Sequence, residues 1–532
     1  MNEAFRIYPY TVDEFKNILV GNSGASLDLV EEKSHIAYLD KYFQDVGTKI
    51  ILVEYDYVDR DFLEDFAGFY ARCFPDYNRK CTRLHFFSYL FTAEQFKCLL
   101  ANPNTSDLTQ DILQEHYLGF MVVKPLPQTI IGRTCISTYP NDNNRRHFPI
   151  IRQYKTNLFG LCLSVRSLAF QEQDEVAAAC ATSALWTVFH GTGMQFQHSI
   201  PSPVEITKKA FSNFPLATRV IPNPTRVFPN SGLSAEMMAQ AIRDIGLEPF
   251  LVPLAQAPQY LQKAHLYAYL RCGIPVIFGF DIVPITQTNP EGIVSLGKHA
   301  VAATGYSLGL PQAVPYSQLG FLLKASRMDK VYVHDDQVGP FARMEFDGSL
   351  IANANTSVPS ISTSWGEGAN RACSDLLLVP LYHKIRIPFQ PIHDAVLHFD
   401  CSFIEQLKAQ GKLPSITQRL EWDIYLTTIN RLKRDLFSDA ALNEEQRQEI
   451  LLKSFPRFLW RATAFHNNDK VLDLLFDATD IVKGQFFICA IEYSKEISDV
   501  FRETAKEASL ARTFQTTPGG KILEWFRNQP VV

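Results

Sequence analysis

Apolar positions along the chain change period several times, and each change marks a predicted element. Ile50 to Val53 (IILV) predicts a short strand, and aromatic-rich Asp61 to Phe74 predicts a helix. Tyr117 to Val123 (YLGFMVV) and Ile130 to Ile136 (IIGRTCI) predict two strands of a hairpin, with Pro125 and Pro127 stopping the first run. Polar Tyr139 to Arg146 predicts a loop. Glu175 to Phe189 predicts a helix closed by Gly191, and Pro-rich Ile200 to Pro229 an irregular connection. Ser234 then stands as an N-cap before Met237, Met238, Ala241, Ile242 and Ile245 on one apolar face, and Gly246 ends the helix. Strands are predicted at Pro275 to Phe280, Ala300 to Thr304, Gly320 to Lys324 and Lys330 to His334.

Gly348 to Ala372 is poor in large apolar residues and rich in Ser, Asn, Thr and Gly, which predicts a long surface loop. Beyond it come a strand at Leu376 to Leu381, helices at Arg419 to Phe437 and Asn443 to Trp460, a strand at Gln485 to Tyr493 and a polar helix at Ser494 to Leu510. The pattern is α+β throughout. It divides into an N-terminal α+β region (1–160), a central core (161–346), a loop or linker (347–373) and a C-terminal α+β region (374–532).

Composition narrows the classes. Of 532 residues, 46% are hydrophobic and 20% charged, enough to bury a large core. The net charge is -5 and no Lys/Arg stripe stands out, which argues against a nucleic-acid partner. The most apolar stretch, Ala264 to Phe280, is cut by His265, Arg271 and Gly273, so no membrane span is expected. Met1 to Tyr10 lacks a basic segment followed by an apolar run, so no signal peptide is expected either. The ten cysteines are scattered without a C-x-x-C pair, which excludes zinc-ribbon spacing. Buried, reduced thiols in a cytoplasmic protein are the expectation, and the glycosylation patterns at Asn104 and Asn355 would then be inert.

Three segments carry chemistry in one chain order. Cys180 follows Gln171 and Gln173 and opens Cys-Ala-Thr-Ser-Ala-Leu-Trp186; His299 begins His-Ala-Val-Ala-Ala-Thr-Gly305-Tyr306; and Lys330-Val-Tyr-Val-His334-Asp335-Asp336 precedes Gly339-Pro340. Thiol catalysis needs a thiolate, a base, an orienter for that base and donors for an oxyanion. The first turn of a helix favours a thiolate, a strand of small apolar residues holds an imidazole rigidly, and a carboxylate suits its second nitrogen. Gln173 or Gln171 offers a side-chain N–H. Alternation along the strand puts Val331, Val333 and Asp335 on an inward face, with Tyr332, His334 and Asp336 on an opposite face in water. Asp335 is therefore expected to orient His299. Taken singly, each residue has an ordinary structural role; the order and the flanks together carry the reading.

That order resembles the papain-like cysteine peptidases, most of all the bacterial branch that includes double-glycine leader peptidases. The likeness lies in Gln before Cys, Cys-x-x-x-Ala on a helix, His-Ala-Val with Gly-Tyr, Val-Tyr-Val-x-Asp with Gly-Pro, and the helix from Ser234 to Gly246 between Cys and His. It covers roughly residues 165–346. It implies a papain-like core, with a Cys helix packed on an antiparallel sheet carrying His and Asp. It also implies hydrolysis of a peptide or isopeptide bond in a peptide or protein substrate, with no cofactor or metal. Cys180 would be the nucleophile, His299 the base, Asp335 its orienter and Gln173 the oxyanion donor. Gln173 stands one residue further from Cys180 than the family spacing, Ala181 replaces the usual Gly or Trp, and the His299–Asp335 interval is long. An acyltransferase or transglutaminase-like enzyme, or an inactive papain-like binding protein, are the alternatives. Thr363-Ser364-Trp365-Gly366 is similar to the Asn-Ser-Trp-Gly segment of plant papain-like enzymes, but with Thr at the Asn position inside the predicted loop it is read as chance. His393 and His398, near Asp394 and Asp400 in a predicted strand or loop, are read as structural rather than metal-binding, as are His190 and His198 around a glycine turn.

Overall fold

Long buried strands with aromatic and β-branched residues set the frame of the first part of the chain. The structure, a computed structural model, describes residues 3–174, 179–212, 232–285, 295–353, 356–365, 369–480, 486–507 and 517–529. Phe5–Pro9, Ile50–Tyr57, Cys81–Phe87, Tyr117–Val123 and Ile131–Ile136 form an antiparallel sheet in which each strand pairs with the next. The expected hairpin is its last pair. Cys81–Phe87 is buried along its whole length. Helices Val12–Ser23 and Ser34–Asp45 cover this sheet, with the Phe43 ring stacked on Phe86 at 4.2 Å and Phe15 edge-on to Phe43.

A second sheet holds nine strands. Six of them pair in a ring: Asn370–Tyr382, Val276–Pro284, Gly297–Ser307, Lys330–Asp335, Gly339–Glu345 and Thr356–Ser362, which pairs back to Asn370–Tyr382. Every pairing in the ring is antiparallel. Closure removes the exposed edges that an open antiparallel sheet would leave. The helix Cys180–Phe196 packs against Val276–Pro284, Gly297–Ser307 and Lys330–Asp335. Ala181 and Ala184 on the buried helix surface allow the close approach.

Several expectations are revised. Residues 347–373 are not a linker: Leu350–Asn353 and Thr356–Ser362 are strands, and Asn370–Tyr382 begins within the stretch. Ile351 and Val358 pack with Val283 and Cys373, so a few apolar residues suffice where backbone pairing supplies the rest. The Cys180 helix does not stop at Gly191; it runs to Phe196 and ends at Gln197 in the left-handed conformation. Gly191 serves packing, because a Cβ there would lie 2.8 Å from Ile150 and 3.0 Å from Pro275. His190 therefore sits inside the helix, with Nδ1 3.2 Å from the Tyr154 hydroxyl. The first four residues of the predicted Glu175–Phe189 helix lie outside the described residues. The irregular connection contains a helix, Pro203–Phe211, and its remainder from 213 also lies outside them.

The chain forms two compact units. One comprises Met1–Ala257, Ile274–Ser307 and Lys330–Pro380; the other comprises Pro258–Gly273, Leu308–Asp329 and Leu381–Val532. The expected boundary at 160 thus falls inside the first unit, and two excursions from the expected core belong to the second. The second unit has its own sheet, in the order Pro315–Tyr316, Phe321–Leu323, Glu421–Thr428, Phe458–His466, Asp469–Asp477 and Phe487–Glu492. Both long helices predicted there start or end as strands instead: Glu421–Thr428 precedes helix Ile429–Phe437, and helix Glu444–Leu452 precedes Phe458–His466. Trp422 to Thr427 is buried on both faces, which erases the alternation that marks a strand. His393 lies on helix Phe389–Phe399 rather than on a strand or loop. It is buried against the rings of Tyr260, Phe321 and Phe389. His398, five positions on, points to a different face of that helix. Among the described residues, no helix is long and apolar enough to cross a membrane.

Gly305 positions the His299 strand. Arg146–His147 pairs beside it, and a Cβ on Gly305 would lie 2.7 Å from the His147 carbonyl oxygen and 2.8 Å from the Phe148 ring. Gly305→Ala is expected to destabilise the first unit by about 1–3 kcal/mol, as overpacking does, read as a lower urea midpoint. An unchanged midpoint would show that the strand pair yields freely.

Candidate active site

Cys180 is the first residue of its helix, after Ala179 in extended conformation, and no side-chain cap occupies the first-turn donors. The first turn of a helix offers backbone N–H donors to an anion formed beside it. Cys180 is half-buried, whereas the residues it faces are not open to water. His299 is 4% exposed and Asp335 3% exposed.

His299 lies on the barrel strand Gly297–Ser307, directly opposite Phe280. Its ring is edge-on to both Phe280 and Trp365, with centroids 5.6 and 5.3 Å away. Its Nε2 is 3.0 Å from Asp335 Oδ1, and the Cys180 thiol lies close enough to bear on its charge. With Nε2 committed to the carboxylate, Nδ1 is the nitrogen left for the thiol. Burial works against a charged ring, but attraction and hydrogen bonding from Asp335 outweigh it, with smaller support from Cys180 and from Asp336 once it ionises. The imidazolium is therefore held well above its ordinary range. Opposite charges 3.0 Å apart attract by about 5–6 kcal/mol at an effective dielectric near 20, enough to offset a desolvation cost of several kcal/mol per ion.

Asp335 is itself built to stay ionised. Oδ1 also accepts the Gln337 backbone N–H at 3.0 Å, and Oδ2 accepts Trp365 Nε1–H at 2.7 Å. Burial alone would raise its carboxyl, yet the His299 charge and these donors hold it below the usual carboxylate range. Trp365 thus has a structural task that its place in a Ser- and Thr-rich segment does not announce. Its signal was the Ser-Trp-Gly segment, and it reaches Asp335 because the strand before it closes the barrel.

The turn after Asp335 is clamped by the helix Ser34–Asp45. His35 Nε2 lies 2.7 Å from the Asp336 carbonyl oxygen, Ser34 donates to the Gln337 carbonyl, and the Tyr38 hydroxyl donates to the Pro340 carbonyl at 2.6 Å. Gly339 adopts φ +153, and the Tyr38 ring fills the place a Cβ would take, 2.5 Å away. Nothing in the spacing of this N-terminal helix foretold such a role.

Asp336 does not face water, contrary to the alternation argument. It is 3% exposed, and its Oδ1 is 3.7 Å from His299 Nε2. His334 is buried too, with Nδ1 3.3 Å from the Ala169 carbonyl oxygen, and burial pushes it down to about 3. The register shifts between Val333 and Asp335, so strict alternation fails at the residues that matter.

Gln173 is half-buried and Gln171 buried, with Glu172 between them. Glu172 accepts the Ile130 and Ile131 N–H groups at 3.0 Å each and pairs with Lys33, anchoring the segment that leads to Cys180. Residues 175–178 lie outside the described residues, and no contact ties either glutamine to Cys180. The structure thus brings Cys180, His299 and Asp335 together and leaves Gln173 without a described partner.

Among the described residues, His299, Asp335 and Asp336 form a cluster whose ligand atoms lie close enough for a metal ion. The donor pattern does not suit a cation: Asp335 already receives two N–H groups besides the imidazole, a field that favours a lone carboxylate. Comparison with family models finds no match to this chain, and comparison with the curated proteins finds no relative.

Burial pushes the thiols of Cys81 and Cys135 up to about 12, and those of Cys373 and Cys489 to about 11. Under limiting iodoacetamide at neutral pH, peptide mapping is expected to find Cys180 alkylated first, ahead of the exposed Cys98 and Cys162. First labelling of Cys98, Cys162, Cys272 or Cys373 would remove Cys180 as the activated thiol.

Proposed function

We propose that this protein is a papain-like cysteine peptidase, a thiol hydrolase cleaving a peptide or isopeptide bond. The observation that carries this reading is a buried imidazole–carboxylate pair with a helix-start cysteine beside it. A Cys helix packed on an antiparallel sheet, with His and Asp on neighbouring barrel strands, supports a papain-like core. On this reading the protein acts in the cytoplasm on peptides or proteins.

In this mechanism the Cys180 thiolate attacks the scissile carbonyl carbon, forming a C–S bond and a tetrahedral oxyanion. The Cys180 backbone N–H and the Gln173 side chain stabilise that oxyanion. His299 gives its proton to the leaving amine as the C–N bond breaks, leaving a thioester. It then takes a proton from water, which attacks the thioester and releases the acid and Cys180. Asp335 keeps the ring oriented throughout, and Trp365 keeps Asp335 in place.

Cys180→Ala is expected to abolish turnover of a cleavable peptide from a screened library without loss of fold. Asp335→Asn should lower turnover at least about tenfold, well under the serine-triad precedent because a thiolate needs less help. Trp365→Phe keeps an aromatic ring but removes the Nε1–H donor and part of the indole's bulk, so a loss of about tenfold is expected, roughly one hydrogen bond's worth. Gln173→Ala should cost about a hundredfold to a thousandfold if it serves the oxyanion, and Gln171→Ala little. Turnover retained by Cys180→Ala would end the peptidase reading. Transfer of the acyl group to a labelled amine in preference to water, seen by mass spectrometry, would replace it with an acyltransferase.

A further inference from the structure

The relay leaves one buried group unused. Asp336 follows Asp335 directly, its Oδ1 lies 3.7 Å from His299 Nε2, and its Oδ2 is buried without a hydrogen-bond partner. Two carboxyls therefore face one imidazole from the same side. Adjacent carboxyls in a dry site do not both ionise readily, and one keeps a proton. The donors decide which one. Asp335 has Gln337 N–H, Trp365 Nε1–H and the closer approach to His299, whereas Asp336 has only its own backbone N–H.

We propose that Asp336 is a second, pH-dependent partner of His299, which leaves the ring to Asp335 while it keeps its proton and reinforces the imidazolium once it ionises. The inference rests on the reading of Cys180, His299 and Asp335 as a peptidase relay. The groups facing Asp336 fit this role. His299 attracts its charge from the barrel strand, and Asp335 opposes it from its own strand. Glu172 also opposes it, from the segment before the Cys helix, where it is paired with Lys33. Burial keeps neighbouring His334 neutral, and His35 binds the Asp336 backbone carbonyl rather than the carboxyl. Burial first, with Asp335 and Glu172, pushes Asp336 up to about 7 against the pull of His299.

The consequence is a built-in alkaline brake. Below neutrality Asp336 carries its proton and Asp335 alone orients the ring. As pH rises through neutrality, Asp336 releases that proton to solvent and a second negative charge comes to lie beside the imidazolium. The ring proton is then held harder and reaches the leaving amine less readily.

The test uses the full chain with Cys180→Ala, ¹³C-labelled at histidine and titrated by NMR, with the His299 signal assigned by its loss in His299→Gln. The expected His299 curve has two inflections, one of them near neutrality from the neighbouring carboxyl. Asp336→Asn should remove that inflection and lower the midpoint of His299 by about one to three pH units, the effect of losing a nearby opposite charge. A single inflection, or a midpoint that Asp336→Asn does not move, would overturn the proposal. If Asp336→Asn melts early, the inflection count with Asp336 intact decides alone. This readout needs no turnover, so two inflections in a protein without peptidase activity would sink the peptidase reading and keep the carboxyl pair.

Discussion

The buried contact between His299 and Asp335 is the interaction on which the rest of the site depends. A charged imidazole and a carboxylate, both sealed from water, are stable only if attraction exceeds the cost of drying two ions. Here the balance is favourable because Asp335 receives two further N–H donors and His299 is fixed between Phe280 and Trp365. Removing either ion would leave the other buried and unpaired, at a cost of about 3–5 kcal/mol.

That dependence explains the barrel. Trp365 follows the strand that pairs with both Gly339–Glu345 and Asn370–Tyr382 and so closes the ring. An open sheet would leave the indole without a fixed position relative to Asp335. The N-terminal region has a parallel task at the other side of the carboxylates, where Ser34, His35 and Tyr38 hold the turn from Asp336 to Pro340. Glu172, tied to Ile130 and Ile131, does the same for the approach to Cys180. The proposed relay is therefore supported by segments far outside residues 165–346.

Local chemistry was legible where a single residue carries the signal. Ser234 accepts the Met237 N–H as an N-cap, and Gly246 takes φ +84 just past the helix end. Tyr117–Val123 is the strand its apolar run foretold. Signals that depend on period failed where burial is two-sided, as in Glu421–Thr428, or where glycine serves packing rather than termination, as at Gly191. Ser- and Thr-rich Thr356–Ser362 is a strand without an apolar pattern, because its pairing is made by backbone groups, which carry no side-chain signature.

The sequence by itself determined the α+β class, most strands of the barrel, and the candidate trio of Cys180, His299 and Asp335, because each sits in a local pattern of helix start or strand end. Only the tertiary structure decided what surrounds them. The register shift before Asp335 turns Asp336 toward the same imidazole, ring closure delivers Trp365, and the N-terminal helix clamps the turn. These are contacts between residues tens to hundreds of positions apart. Their geometry is set by how strands close and helices pack, and no local spacing of residue types encodes it.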